Sequence, residues 1–383
     1  MNNHRMNKEL ICFAARVRGL VANPQSAIWP SRGSANRQFS ELALELFALQ
    51  FENNVACRKI CEARGLTPEV VEHWTQIPAV PTGAFKELEL TSILPDERTA
   101  VFHSSGTTEQ KPSRHFHSAE SLAVYEASLW TSFERNVVPD LKSDISNIEL
   151  IFLTPPPAQA PHSSLVHMFE TVRQNLGGAS APANRAAFFG TLAPDGAWTL
   201  DFDAALAALK SAIGNRQSAI LLGTAFSFVH LLDYLAERDL RVELPAGSRV
   251  METGGYKNRS RAMPKAELHA LITERLGVAP ENIICEYGMS ELSSQAYDGV
   301  QKAEGGGRIF NFPPWTRVQI ISPETGREVA DGETGLIRVF DLANVFSVAA
   351  IQTEDLGIRR GDGFELVGRT QLAEPRGCSL MSA

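Results

Sequence analysis

The 383-residue chain has a net charge of −8, with 44% hydrophobic and 21% charged residues, enough apolar material for one large or two medium domains. The acidic balance argues against a nucleic-acid surface but not against a nucleotide, which needs only local positive groups. Five cysteines, an odd number without a regular framework, fit a reducing cytoplasm better than an oxidising compartment.

The start leads into a short mixed run from Leu10 to Val21. It lacks the apolar core of a signal peptide, and nothing later reaches spanning length, so a cytoplasmic protein without membrane insertion is expected. Gln25 to Ala35, rich in Pro, Ser, Gly and Asn, reads as a loop. Phe39 to Cys61 carries apolar residues at Leu42, Leu46, Phe47, Leu49 and Phe51, the spacing of one helix. Cys57 and Cys61 share a face of it, and no second Cys or His pair with metal-site spacing follows. Thr67-Pro68-Glu69 reads as a helix start and Ile77 to Pro81 as an extended connection.

Ala100-Val101-Phe102 reads as a strand end. Further apolar runs at Ile148 to Leu153, Ala219 to Leu222, Val250-Met251 and Ile283 to Cys285 are separated by helical stretches at His162 to Gln174, Phe202 to Ile213, Phe226 to Ala236 and Pro264 to Leu276. Strand and helix in turn predict an α/β core with much parallel sheet, in which ligands gather at the carboxyl ends of the strands. After Trp315 the pattern changes. Arg317 to Ile321, Leu336 to Phe340, Val345 to Gln352 and Phe364 to Val367 are divided by turns at Pro323 to Gly326, Asp331-Gly332 and Asp362-Gly363, which predicts a smaller antiparallel part.

Chemistry concentrates in five stretches. His103 to His117 sets Ser104, Ser105, Gly106, Thr107, Thr108 and Lys111 in one loop after a strand end. Glycine admits close backbone approach to an oxyanion, hydroxyls donate, and the lysine adds positive charge, so the loop can wrap phosphate. The nucleotide-kinase phosphate loop fits poorly, because Gln110 stands where that loop has glycine. Gly254-Gly255 follows a strand, where a flat base can lie against bare backbone. Tyr287, Gly288, Ser290 and Glu291 fall in E-Y-G-M-S-E, Asp355 in T-E-D-L-G, and Arg369 in the final G-R. His115 and His117 fall on one side of an extended segment with no third metal ligand in view.

The order S-S-G-T-T-x-x-K, E-Y-G-M-S-E, T-E-D-L-G, G-R resembles the adenylate-forming superfamily. Phe51 to Asn54, Ile77 to Pro81 with Phe85-Lys86, Met251 to Lys257, Gln295 to Asp298 and Arg376 to Leu380 narrow the resemblance to the acyl-protein synthetases, the fatty-acid-activating component of bacterial bioluminescence operons. It covers the chain from about Phe39 onward. One position departs: Glu109 stands where the superfamily loop usually has glycine, and a carboxylate beside triphosphate is unfavourable unless it points away or meets a cation.

The resemblance implies an α/β large domain with layered, largely parallel sheets flanked by helices and a smaller antiparallel β subdomain, without the superfamily's small C-terminal domain. The parts expected are a helical stretch over 1–100, an α/β core with the nucleotide site over 101–314, a β-rich subdomain over 315–369 and a mobile tail over 370–383. It implies ATP and Mg2+, with Glu291 at the metal, Tyr287 against adenine, Ser290 beside the phosphates, Asp355 on the ribose hydroxyls and Arg369 at ribose or phosphate. Lys111, Lys257 or a group from a partner chain are the candidates to replace a missing small-domain lysine. His162 and His167 are placed near an acyl pocket.

The implied reaction is ATP-dependent activation of a carboxylic acid to an acyl-adenylate, then transfer to Cys378, which matches the family's acyl-accepting cysteine. Arg376 beside it favours the thiolate, and a nine-residue tail beyond Arg369 can reach about 30 Å when extended. The partners implied are an acyl reductase or an acyl carrier protein. The alternatives are a ligase delivering the adenylate to coenzyme A, a carrier thiol or an amine, and a non-catalytic nucleotide- or acyl-binding subunit.

Overall fold

A computed structural model describes residues 3–23, 34–104, 111–139, 148–177, 186–194, 196–254, 263–302 and 307–369. The first run is an amphipathic helix, α1 (Asn3–Val21), which buries Leu10, Phe13, Ala14, Val17 and Val21 along one stripe. The single helix expected over Phe39 to Cys61 is two, α2 (Ser34–Asn53) and α3 (Val55–Ala63). Asn54 makes the break: its side chain accepts from the Cys57 amide at 3.1 Å and starts a new helix. Cys57 and Cys61 are buried neighbours with sulfurs 4.0 Å apart. Of the loop expected over Gln25 to Ala35, residues 25–33 lie outside the described residues.

Thr67 does not start a helix. The amides of Val70 and Val71 both return to its carbonyl in one turn, and the next helical piece is a single 3-10 turn, Trp74–Gln76, closed by a capping box between His73 and Gln76. Ile77 to Pro81 is extended as expected and ends in a short strand, β1 (Val80–Pro81), before the one-turn helix α4 (Ala84–Glu87). A hairpin of β2 (Ala100–His103) and β3 (Arg114–His117) carries the Ser/Thr-rich loop.

The alternating region then runs α5 (Ala119–Val137), β4 (Ile148–Leu153), α6 (Ser164–Gly177), β5 (Ala186–Phe188), a small hairpin β6 (Gly190–Leu192) and β7 (Trp198–Leu200), α7 (Phe202–Gly214), β8 (Ser218–Thr224), α8 (Ala225–Glu237), β9 (Arg249–Thr253), α9 (Lys265–Leu276) and β10 (Ile283–Tyr287). The chain closes with β11 (Ala296–Lys302), β12 (Arg308–Asn311), β13 (Thr316–Ile321), β14 (Thr334–Asp341), β15 (Ala350–Arg360) and β16 (Gly363–Arg369).

One sheet joins both parts, in the order β13-β14-β15-β16-β12-β11-β10-β9-β8-β4-β5, with β1 added on β15. Strands β5, β4, β8, β9 and β10 are parallel, and their apolar runs reflect burial on both faces. From β10 through β11 to β13 the pairings are antiparallel. Helices α7, α8 and α9 pack on one face of the parallel strands, and α5 and α6 on the other. Helices α1 to α3 share the third core cluster with β13 to β15. Among the described residues no helix is long and apolar enough to cross a membrane.

One expected strand is misplaced. Val345 to Ala349 is a buried loop, and β15 begins only at Ala350. Its backbone is satisfied by side chains instead of a ladder: Gln50 Nε2 donates to the carbonyls of Asn344 and Val345, the Ala349 amide donates to Gln50 Oε1, and Asn54 Nδ2 donates to the Ser347 carbonyl.

Candidate active site

Tyr287 ends β10, and its phenol donates to Asp355 Oδ2 at 2.9 Å. Asp355 sits on β15 directly opposite Arg369 of β16, whose Nε donates to Asp355 Oδ1 at 3.3 Å. Three expected residues from three strands thus converge. Phe310, Phe312 and Phe364 pack edge-on around the Tyr287 ring, and burial, reinforced by the Asp355 charge, pushes its phenol well up. Arg369 is largely exposed, so its ion pair with Asp355 adds little to stability but leaves the guanidinium accessible.

Beyond Tyr287 the chain makes a buried bend. Ser290 Oγ donates to Glu291 Oε2 at 3.1 Å, and both residues are buried. The bend is held by its carbonyls: His115 Nδ1 donates to the Ser290 carbonyl at 2.8 Å, and Asn344 Nδ2 to that of Glu291 at 2.8 Å. Burial pushes the His115 imidazole down to about 4, opposed by that bond, so at neutral pH the ring is neutral with its proton on Nδ1. His115 also stands on the strand that leaves the Ser/Thr-rich loop, and so ties two expected motifs together. Gly288 is needed for closeness, because a Cβ there would meet the Glu286 carboxyl and the Gln295 side chain.

Gly254 follows β9 with φ of +72° and open space around it, so its glycine requirement is conformational. Its carbonyl lies 3.4 Å from Lys265 Nζ. That lysine grips the fully buried Glu252 with contacts of 2.6 and 2.7 Å and reaches Cys285 Sγ at 3.0 Å, and His269 Nε2 lies 3.1 Å from Glu252. Burial alone would raise the Glu252 carboxyl, but the Lys265 ammonium and hydrogen bonds from His269, Cys285 and Lys265 outweigh it and hold it at about 2. Sequence reasoning missed this anchor. Glu252 lies within the Met251 to Lys257 motif, but nothing in the spacing marks Lys265 as its partner.

Ser104 closes the base of the Ser/Thr-rich loop, its Oγ accepting from the Ser113 amide at 3.0 Å. Lys111 meets Glu87 at 3.5 Å near the surface. Ser105, Gly106, Thr107, Thr108, Glu109, Gly255, Lys257 and Cys378 lie outside the described residues. His162 stacks on His103 with ring centroids 4.7 Å apart, and His167 pairs with Glu126 at 2.9 Å. His115 and His117 are both buried on β3, and among the described residues no group of three or more His, Cys, Asp or Glu forms a metal cluster. A magnesium ion needs no such cluster, since it is commonly held by one or two carboxylates with substrate phosphates and water. Glu291 with the Ser290 hydroxyl fits that pattern.

The long-chain-fatty-acid–luciferin-component ligase of Vibrio harveyi is 24% identical over 350 residues, covering 89% of this chain and 86% of its own. The enzyme of the same name from Aliivibrio fischeri is 28% identical over 198 residues, 48% of this chain and 50% of its own. Among solved structures, 2-hydroxyisobutyryl-CoA ligase in an open conformation with its adenylate and CoA has a TM-score of 0.62 at 13% identity, over 89% of this chain and 71% of that one. The same ligase in its thioesterification state also gives 0.62, at 14% identity, over 89% and 70%. These likenesses establish the fold of the adenylate-forming ligases. The family model described as acyl-protein synthetase, LuxE, matches residues 1–383, and the chain belongs to that family.

Proposed function

We propose that the protein activates a fatty acid with ATP, releasing pyrophosphate and forming an acyl-adenylate, and then moves the acyl group to its own Cys378 as a thioester for delivery to a partner. The observation that carries the nucleotide half is the convergence of Tyr287, Asp355 and Arg369. Each Asp355 oxygen already accepts one bond, from Tyr287 or from Arg369, and keeps a second lone pair for a hydroxyl of a vicinal diol, which a carboxylate suits as a double acceptor. Adenine lies against Tyr287 and the Gly254 backbone. The phosphates lie toward Ser104, the hydroxyls at 105, 107 and 108, Lys111 and Ser290.

The reaction needs the carboxylate oxygen to attack the α-phosphorus in line while pyrophosphate leaves, so alignment and shielding of negative charge dominate. Magnesium held by Glu291 supplies charge neutralisation on the phosphates when bound. The buried bend pinned by His115 and Asn344 keeps Glu291 and Ser290 in place without reorganisation. The Cys378 thiolate then attacks the acyl carbon, the S–C bond forms, and AMP leaves. The partner suited to take the thioester is an acyl reductase or an acyl carrier protein.

Incubation with ATP and radiolabelled fatty acid tests the transfer. Wild-type protein is expected to retain hydroxylamine-labile label after denaturation. Cys378→Ser is expected to lose that label while still exchanging pyrophosphate into ATP. Undiminished labile label in Cys378→Ser contradicts the assignment of the thiol.

A further inference from the structure

Between β10 and β11 the chain crosses residues 288–295 without a strand ladder, and Glu291 stands in the middle of that crossing. After Ser290, which His115 holds, the segment hangs from one place, the turn that ends β14, where the Asn344 amide closes on the Asp341 carbonyl at 3.1 Å. Asp341 Oδ2 accepts from the Ser293 amide at 3.0 Å and its Oδ1 from Ser294 Oγ at 2.7 Å. Asn344 Nδ2 donates to the Glu291 carbonyl at 2.8 Å, and its Oδ1 accepts from Ser293 Oγ at 2.5 Å. Residues 291, 293 and 294 are thus fixed by two side chains of a single turn.

Asp341 is fully buried, yet no lysine, arginine or histidine pairs with it among the described residues. Dipoles alone meet its charge: besides Ser293 and Ser294, the Ala343 amide donates at 3.0 Å and Thr316 Oγ1 at 3.3 Å. Burial pushes the carboxyl up, and these hydrogen bonds oppose it. A buried carboxylate without a counter-ion costs stability that an apolar residue of similar volume does not. Stability alone therefore gives no reason to keep one here. Its geometry does, because a carboxylate accepts at both ends. An asparagine would turn its NH2 toward either the Ser293 amide or the Ser294 hydroxyl, and the Ser293 amide is a donor. The hydroxyl is committed as well: Ser294 Oγ accepts from Trp315 Nε1 at 3.1 Å, which leaves its proton for Asp341.

We propose that Asp341 is a positioning residue for the magnesium site: through Ser293, Ser294 and Asn344 it holds the segment bearing Glu291 in the arrangement that presents the Glu291 carboxylate to the metal, and so sets metal affinity. Asp341 acts through the bend and needs no contact with metal or substrate. The inference rests on the assignment of Glu291 to magnesium above. Groups that orient a metal ligand from behind commonly set affinity by roughly tenfold to a hundredfold.

The test uses the full chain in excess over ATP, without acid so that nothing turns over, and Mn2+ in place of Mg2+, with bound Mn2+ followed by electron paramagnetic resonance. Asp341→Asn is expected to need about tenfold more Mn2+ for half-saturation, with its affinity for ATP in EDTA unchanged. Pyrophosphate exchange by this variant is expected to return at saturating Mg2+, which a loss of fold would not allow. Ser293→Ala, which removes only the bond to Asn344 Oδ1, is the milder variant; it is expected to shift half-saturation severalfold in the same direction, and it decides the matter if Asp341→Asn gives no cooperative melt. Half-saturation unchanged in these variants while Glu291→Gln weakens Mn2+ binding would overturn the inference and leave the magnesium assignment intact. Unchanged Mn2+ binding in Glu291→Gln removes that assignment and this inference with it.

Discussion

Lys265 is the residue whose loss the structure makes most costly. It is the ammonium nearest a fully buried carboxylate, and removing one partner of a buried pair strands the other charge. Lys265→Met is expected to lower stability by about 3–5 kcal/mol in urea denaturation at neutral pH, and adding Glu252→Gln to recover most of it. Because the Glu252 carboxyl is held down at about 2, the stability it contributes is present above its ordinary range and is lost as pH falls through about 2. Asp355 is predicted to act on ligand more than on fold. Asp355→Ala removes an acceptor of charged hydrogen bonds and is expected to raise KM for ATP by roughly tenfold to a hundredfold, and to cost about 1–3 kcal/mol of stability because the buried Tyr287 phenol loses its acceptor. The Tyr287, Asp355 and Arg369 motifs were readable as residues, but their meeting was not. It depends on β15 pairing with β16 and on β10 reaching the same place, which no local spacing encodes.

At the scale of elements, the sequence was most legible where apolar runs are buried on both faces. Ile148–Leu153 appears as read, and α7, α8 and α9 fall within a residue or two of the expected spans. It was least legible where polar side chains do the work of secondary structure. The apolar Val345 to Ala349 imitates a strand, yet Gln50, Asn54 and Asn344 supply the bonds of a ladder from elsewhere. Asn54 likewise cuts an unbroken helical pattern in two. Asn54→Ala removes both the α3 cap and the donor to the Ser347 carbonyl, and is expected to cost about 2–3 kcal/mol by chemical denaturation. Asn54→Asp, which keeps the cap acceptor, is expected to recover part of that loss.

For the whole molecule, one sheet carries both the parallel strands and the antiparallel strands from β11 onward, so Tyr287 and Glu286 stand on opposite faces of the same strand end. That arrangement buries Glu286. Burial raises its carboxyl to about 7, with the Thr253 bond and Lys265 opposing. A raised carboxyl favours the fold below its ordinary value near 4.5, and that contribution is lost as pH rises through about 7. Glu286→Gln removes the dependence, so the variant is expected to gain on the wild type between pH 5 and 8 by roughly 3 kcal/mol in denaturant melts. A constant difference across that range contradicts the assignment.

Adenylation of an acid is tested most directly by exchange of labelled pyrophosphate into ATP as a function of added carboxylic acid, across short, medium, long and aromatic chains. Exchange is expected to require an acid and, at ATP below the raised KM, to fall severalfold or more in Asp355→Ala. Folded wild-type protein that gives no acid-dependent exchange with any chain would contradict adenylation.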